Sequence, residues 1–309
     1  MQFRKRFDKN SAGCYNLKKA SGGTVMKIGI NNGSFDYLGA EETQYARIAA
    51  LGYDAVDHSL SDTGAPCYQS DEAMKEYGLR VRRAAEKTGL IIQQVHGPWP
   101  TDDKTAENRA QTLIHMRRTV YGCYVMGAPY LIIHPQMPYG WGSEDDPEYS
   151  CRLTVDLMKT LMPDCEKYGV VLCLENMPMK AHRISTMDRI AEAVRKVGSP
   201  FCAICMDTGH TNVYGRDLGE DVRIAGDLLK TLHVHDNGGH DHHMLPWLGS
   251  ADWNSFTAAL KEIGFDGVLS METAGVRNPK MPPAVLDLAE KLTAAAARAL
   301  ADMACSISD

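Results

Sequence analysis

The chain has 309 residues, 44% hydrophobic and 23% charged, with a net charge of −6; this is the make-up of a globular protein with ample material for a large core, and it excludes a disordered chain. No apolar run reaches the roughly 18 residues a membrane helix needs. Six Lys/Arg against one Asp in residues 1–25 leave −11 on the remainder, a body poorly suited to the phosphate backbone of a nucleic acid.

In chain order, residues 1–25 read as a basic, disordered tail without the apolar stretch of a secretory signal. The folded body is expected over residues 26–309 as a single domain. From "VMKIGINNG" at 25–33 onward a unit recurs: a helical stretch, usually a glycine, a short apolar run, then a polar residue. The further runs are "ALGYDAVDH", "KTGLIIQQVHG", "MGAPYLIIHP", "KYGVVLCLENM", "VGSPFCAICMDTGH", "LLKTLHVHDN" and "IGFDGVLSMET", which makes eight strands. Helices are expected over 70–88, 103–126, 147–167, 186–197 and 253–263, with Pro282 opening a final Ala-rich one. Alternation of this kind predicts a parallel sheet with helical crossovers, and eight units favour a closed (β/α)8 TIM barrel over a doubly wound open sheet. Nine cysteines without framework spacing point to reduced thiols in the cytoplasm. Cys202 and Cys205 form a CxxC, but residues three apart on a strand face opposite sides, which argues against a redox or zinc pair.

Almost every expected strand ends in an acid/base or ligand group: Asp57, His96, His134, Glu175, Asp207, His233 or His235, and Glu272. Such ends converge on one mouth of a barrel, where barrel enzymes carry out their chemistry. Glu175, Asp207, His233 and Glu272 close the last four strands with three carboxylates and one imidazole, a donor set for a hard divalent cation such as Mn²⁺, Mg²⁺ or Co²⁺. Singly, a strand-end Glu is more often ion-paired and a His more often hydrogen-bonded within the core. Their coincidence on separate strands favours a metal site. Five of the eleven histidines fall between His233 and His243, and strand alternation puts His233 and His235 on one face with Asp236 on the other. The long loops after the fourth and seventh strands are expected to shape the pocket. Trp99, Trp141 and Trp247 are candidate apolar walls, and Arg277 is a candidate contact for a hydroxyl or phosphate.

The motifs "LEN", "MDTGH", "LHVHDN" followed by "DHH" and "LGSADW", and "GVLSMET" resemble the xylose isomerase-like barrel superfamily, which joins sugar isomerases and epimerases to endonuclease IV-type enzymes. The resemblance runs from about Met26 to the last helix. For the sugar enzymes it implies one divalent metal on Glu175, Asp207, His233 and Glu272, with Glu175 and Glu272 as the catalytic acid/base pair. For the endonuclease branch it implies three Zn²⁺ ions that also use positions matching His96, His134, His210, Asp241 and His243; in a sugar enzyme His96, His134 and His210 would be free to bind substrate, and Asp241 and His243 would bind substrate or order the loop. His240 and His242 match no ligand position. Where many relatives carry a Gly-Glu-Gly turn, this chain has "LGSADW".

Two functions follow. The first is a metal-dependent isomerase or epimerase of a sugar or sugar phosphate, in which two carboxylates move protons beside a metal-chelated carbonyl; its partner is a small molecule, and a homo-oligomer is compatible with it. The second is a zinc phosphodiesterase acting on abasic DNA, which the ligand set favours. The body charge and the acidic "SEDDPE" loop oppose it. A non-catalytic barrel subunit would have no need of paired proton carriers. The first is the expected function.

Overall fold

The fold was obtained as a computed structural model, which describes residues 25–100, 104–143, 145–146, 148–273 and 278–305. Residues 1–24 of the expected tail over 1–25 and the candidate contact Arg277 lie outside the described residues. Eight parallel strands alternate with helices: β1 Lys27–Asn31, β2 Ala55–Ser59, β3 Ile91–His96, β4 Tyr130–Ile133, β5 Val171–Glu175, β6 Cys202–Asp207, β7 Leu229–His233 and β8 Val268–Met271. From β1 to β7 each strand pairs with its sequence neighbours, and β1 also pairs with β8. The ring is drawn shut between β7 and β8 by the Val234 amide, which donates to Ser270 O at 2.8 Å, and the Glu272 amide, which donates to Val234 O at 3.1 Å. The result is a single-domain TIM barrel.

The expected helices form with shifts of a few residues at their starts. They are α2 Asp71–Thr88, α3 Ala106–Met126, α4 Tyr149–Tyr168, α5 Met187–Val197, α8 Trp253–Glu262 and α9 Pro283–Cys305; α1 Glu41–Ala50, α6 Thr208–Val213 and α7 Leu218–Ala225 form in addition. Helix α2 starts late because Ser70 is its cap, its side chain accepting from the Ala73 amide; Thr105 does the same for α3. Left-handed glycines end α2, α3, α4 and α5. No helix among the described residues is long and apolar enough to cross a membrane.

The main apolar core lies between the strands and the helix layer, and a smaller cluster of Ile132, Cys173, Ala203 and Cys205 fills the barrel. Strand alternation splits the CxxC: Cys202 packs outward, its thiol 3.4 Å from Met162 Sδ, while Cys205 faces inward. Both thiols are free and buried. Above the inner cluster the strand ends turn polar, and that change of chemistry makes the mouth.

Candidate functional site

The ends of β5 to β8 bring Glu175, Asp207, His233 and Glu272 together, one donor atom of each within 4.8 Å of the others. The first three are buried, whereas the Glu272 side chain keeps 20% of its surface. His233 sits between the two glutamates, its Nδ1 2.9 Å from Glu175 Oε1 and 3.2 Å from Glu272 Oε2. Its Nε2 lies 3.0 Å from Asp57 Oδ2, and Asn31 Nδ2 donates to that same oxygen at 2.9 Å. With Nε2–H bound to a carboxylate, Nδ1 is left to act as a ligand. Burial alone would raise the Glu175 carboxyl, but His233 and His134 beside it hold it well below its ordinary value. Burying several carboxylates together is costly unless positive charge compensates them, so this donor set fits a divalent cation in both ligand type and charge.

Asp207 has two duties. Its Oδ1 accepts from the His210 amide at 2.6 Å and so caps α6, which fixes His210 one turn beyond the strand end. Asn176, the residue after Glu175, clamps the two strand ends by donating to Asp207 O at 2.9 Å and accepting from the Asp207 amide at 2.8 Å. Between Asp207 and His210, Gly209 passes directly over the His235 ring, and a Cβ there would fall 1.9 Å from a ring carbon.

Two further groups adjoin this centre. His210, His235, Asp241 and His243 converge in one, and His96 and His134 meet Glu175 in the other. His210 Nδ1 donates to Asn176 O at 2.7 Å and His243 Nδ1 to Glu272 O at 2.7 Å, so both turn Nε2 toward Asp241, at 3.5 and 3.3 Å. The His243 ring stacks on His235 with centroids 4.0 Å apart. Burial would lower both His210 and His243, but Asp207 and Asp241 raise His210 to about 9, and Asp241 with Glu272 raises His243 to about 10. In the other group His134 Nε2 is 3.3 Å from Glu175 Oε2, and His96 stacks on His233.

A cavity of about 290 Å³ opens over these groups. Trp99, Trp141, Met177 and Met179 give it an apolar wall, and no Lys or Arg is among its described lining residues. Trp247, expected as a third aromatic wall, is instead half-exposed outside the lining and packs against Trp253 at 6.4 Å. The hub responsible is Asp236, which faces away from the mouth; its carboxylate gathers the amides of Trp247, Gly249 and Ala251 and the Trp253 indole N–H, tying the loop onto α8. His240 and His242 are exposed. The acidic residue of "LGSADW", Asp252, caps α8. Sequence reasoning did not find the Asn31–Asp57–His233 chain or the Asn176 clamp. Asp57 was visible as a strand end, but its partner ends β7, three strands away around the ring.

Residues 45–302 match the family model described as xylose isomerase-like TIM barrel. Among relatives, a D-psicose 3-epimerase of Enterocloster bolteae is 23% identical over 235 residues, 73% of this chain and 74% of that protein. An inosose isomerase of Bacillus subtilis is 24% identical over 157 residues, 48% of this chain and 55% of that one. A solved D-psicose 3-epimerase, determined in the presence of D-fructose, superposes with a TM-score of 0.70 at 21% identity, covering 87% of this chain and 97% of that one. The IolI protein, solved with a bound zinc atom, does so with a TM-score of 0.68 at 20% identity, covering 91% and 98%.

Proposed function

We propose, for a chain that belongs to the xylose isomerase-like TIM barrel family, a divalent-metal-dependent epimerase or isomerase activity on a sugar, with proton transfer at a carbon next to a carbonyl. The observation that carries this reading is the pair Glu175 and Glu272, held on either side of His233 Nδ1 at the floor of a sugar-sized cavity. A cation held by Glu175, Asp207, His233 and Glu272 would supply Lewis-acid polarisation of the carbonyl and its neighbouring hydroxyl; Mn²⁺, Mg²⁺, Co²⁺ and Zn²⁺ all suit three carboxylates and an imidazole.

The two glutamates differ in a useful way. Glu175 is enclosed and held ionised by His233 and His134, so it stands in the carboxylate form a general base requires, at the cost of some basicity. Glu272 is partly exposed, so water reaches its carboxylate. His210 and His243, raised to about 9 and about 10, carry protons at neutral pH and hold the Asp241 carboxylate ionised at the cavity wall, where it can accept from sugar hydroxyls. Trp99 and the two methionines cover the apolar face of the ring. The relatives named as epimerase and isomerase support the same class of reaction, and the free thiols suit a cytoplasmic setting.

The test is Glu175→Gln and Glu272→Gln on metal-loaded protein with ketohexoses in D₂O. Each variant should lose roughly 10²- to 10⁴-fold in turnover, and wild type should place deuterium beside the carbonyl. Full activity in both variants would remove the glutamates from the mechanism. A second reading, a multinuclear phosphodiesterase, draws on the two adjoining histidine groups; the absence of Lys and Arg from the described cavity lining opposes it. Salt-dependent binding of abasic DNA would favour that reading.

A further inference from the structure

Beside the first cavity lies a second, of about 660 Å³, and the two share Ser59 and Ser61 at the end of β2. The serine hydroxyls are 3.2 Å apart and form the common wall. Asn32 ties that wall to the far side of the second cavity: its Oδ1 accepts from the Ser59 amide at 2.7 Å, and its Nδ2 donates to Gln44 Oε1 at 2.7 Å. Small-molecule sites span roughly 300–1,000 Å³, so the first cavity is at the lower limit and the second, adjoining it at the two serines, lies within the range.

We propose that the second cavity is a subsite for an additional uncharged sugar ring, so that the preferred ligand of the mouth is a glycoside rather than a free monosaccharide. This inference rests on the sugar epimerase or isomerase reading. Its chemical basis is the balance of donors and acceptors. Asp36, Glu41, Asp62 and Glu76 line the cavity against Arg80. Arg80 is already engaged, 3.5 Å from Glu41 Oε2 and over the Tyr77 ring at 4.8 Å. An anionic ligand is repelled by such a wall, whereas a ring rich in hydroxyl donors finds acceptors on it. Asp36 is exposed but steadied by Gln44, whose Nε2 lies 3.5 Å from Asp36 Oδ1 and donates to Gly39 O at 2.7 Å; an acceptor held in this way loses less freedom on binding than a free side chain.

The experiment is calorimetric titration of the metal-loaded full chain with D-fructose and with maltulose and isomaltulose, which are fructose carrying one glucosyl unit. At least one disaccharide should bind about tenfold more tightly than fructose. Ala73→Trp, which fills the second cavity from the first turn of α2, should bring the ratio of dissociation constants to about one. Glu76→Ala should lower the ratio as well, which guards against a folding defect in the bulkier variant. Disaccharides that bind no better than fructose, a ratio that survives both substitutions, or no sugar binding at all would each overturn the subsite. Deuterium uptake by ketohexoses judges the epimerase reading separately, so the subsite can fall while that reading stands.

Discussion

A single hydrogen bond decides which ring nitrogen four of the mouth histidines present. His96, His210 and His243 place Nδ1 on backbone carbonyls, whereas His233 is reversed, its Nε2 held by Asp57. Outer partners of this type typically govern about 10- to 100-fold of metal affinity. Asp57→Ala should therefore weaken the cation by about that factor with every proposed ligand intact, read by competition with a chelator; unchanged affinity would show that packing alone orients His233. Asp207 needs a paired design, because Asp207→Ala removes both a proposed ligand and the α6 cap, itself worth about 1 kcal/mol. Asp207→Asn keeps a capping oxygen. Both variants should lose the metal, and only the alanine should also lose thermal stability when metal-free forms are compared.

At the scale of elements, β2 is locked to the helix layer by a buried relay that the site does not use. His58 Nδ1 is 2.9 Å from Tyr45 Oη on α1, and Nε2 is 3.0 Å from Tyr77 Oη on α2. Burial pushes His58 from 6.5 down to about 4, against the pull of Glu41 and Asp57. Between those values the unfolded chain holds the proton that the folded one refuses. The contribution of neutral His58 is thus complete above about pH 6.5 and lost as pH falls through about 4, a swing on the order of 3 kcal/mol. Chemical denaturation across that window should show the loss in wild type and a shallower one in His58→Gln. Equal slopes would assign acid sensitivity to other groups.

For the whole molecule, the number of ions per chain separates the two families of chemistry. The epimerase reading expects one, and His210→Ala leaves it at one. Any further cation at Asp241 must displace the protons of His210 and His243, so a count above one should rise as pH approaches 9 to 10. Metal analysis of protein purified without chelator, repeated across that range, checks both statements. A count near three at neutral pH that falls on replacing His96, His134 or His210 would transfer the site to the phosphodiesterase reading.

The sequence by itself determined the barrel and the rim of its mouth. Eight apolar runs with polar ends are a local pattern, and strand alternation converts each end residue into a direction, which is why Glu175, Asp207, His233 and Glu272 were legible together. Alternation also separated His235 from Asp236, and Cys202 from Cys205. What only the tertiary structure decided is pairing across the ring: Asp57 with His233 is a contact 176 residues apart, and nothing local in "AVDHS" or "TLHVH" encodes it. Trp247 shows the converse. Its position in a long loop suggested the pocket, but Asp236 binds that loop through four donors and turns it toward α8. Loop trajectory follows from whichever buried acceptor captures the backbone amides, and that is settled only when the barrel closes.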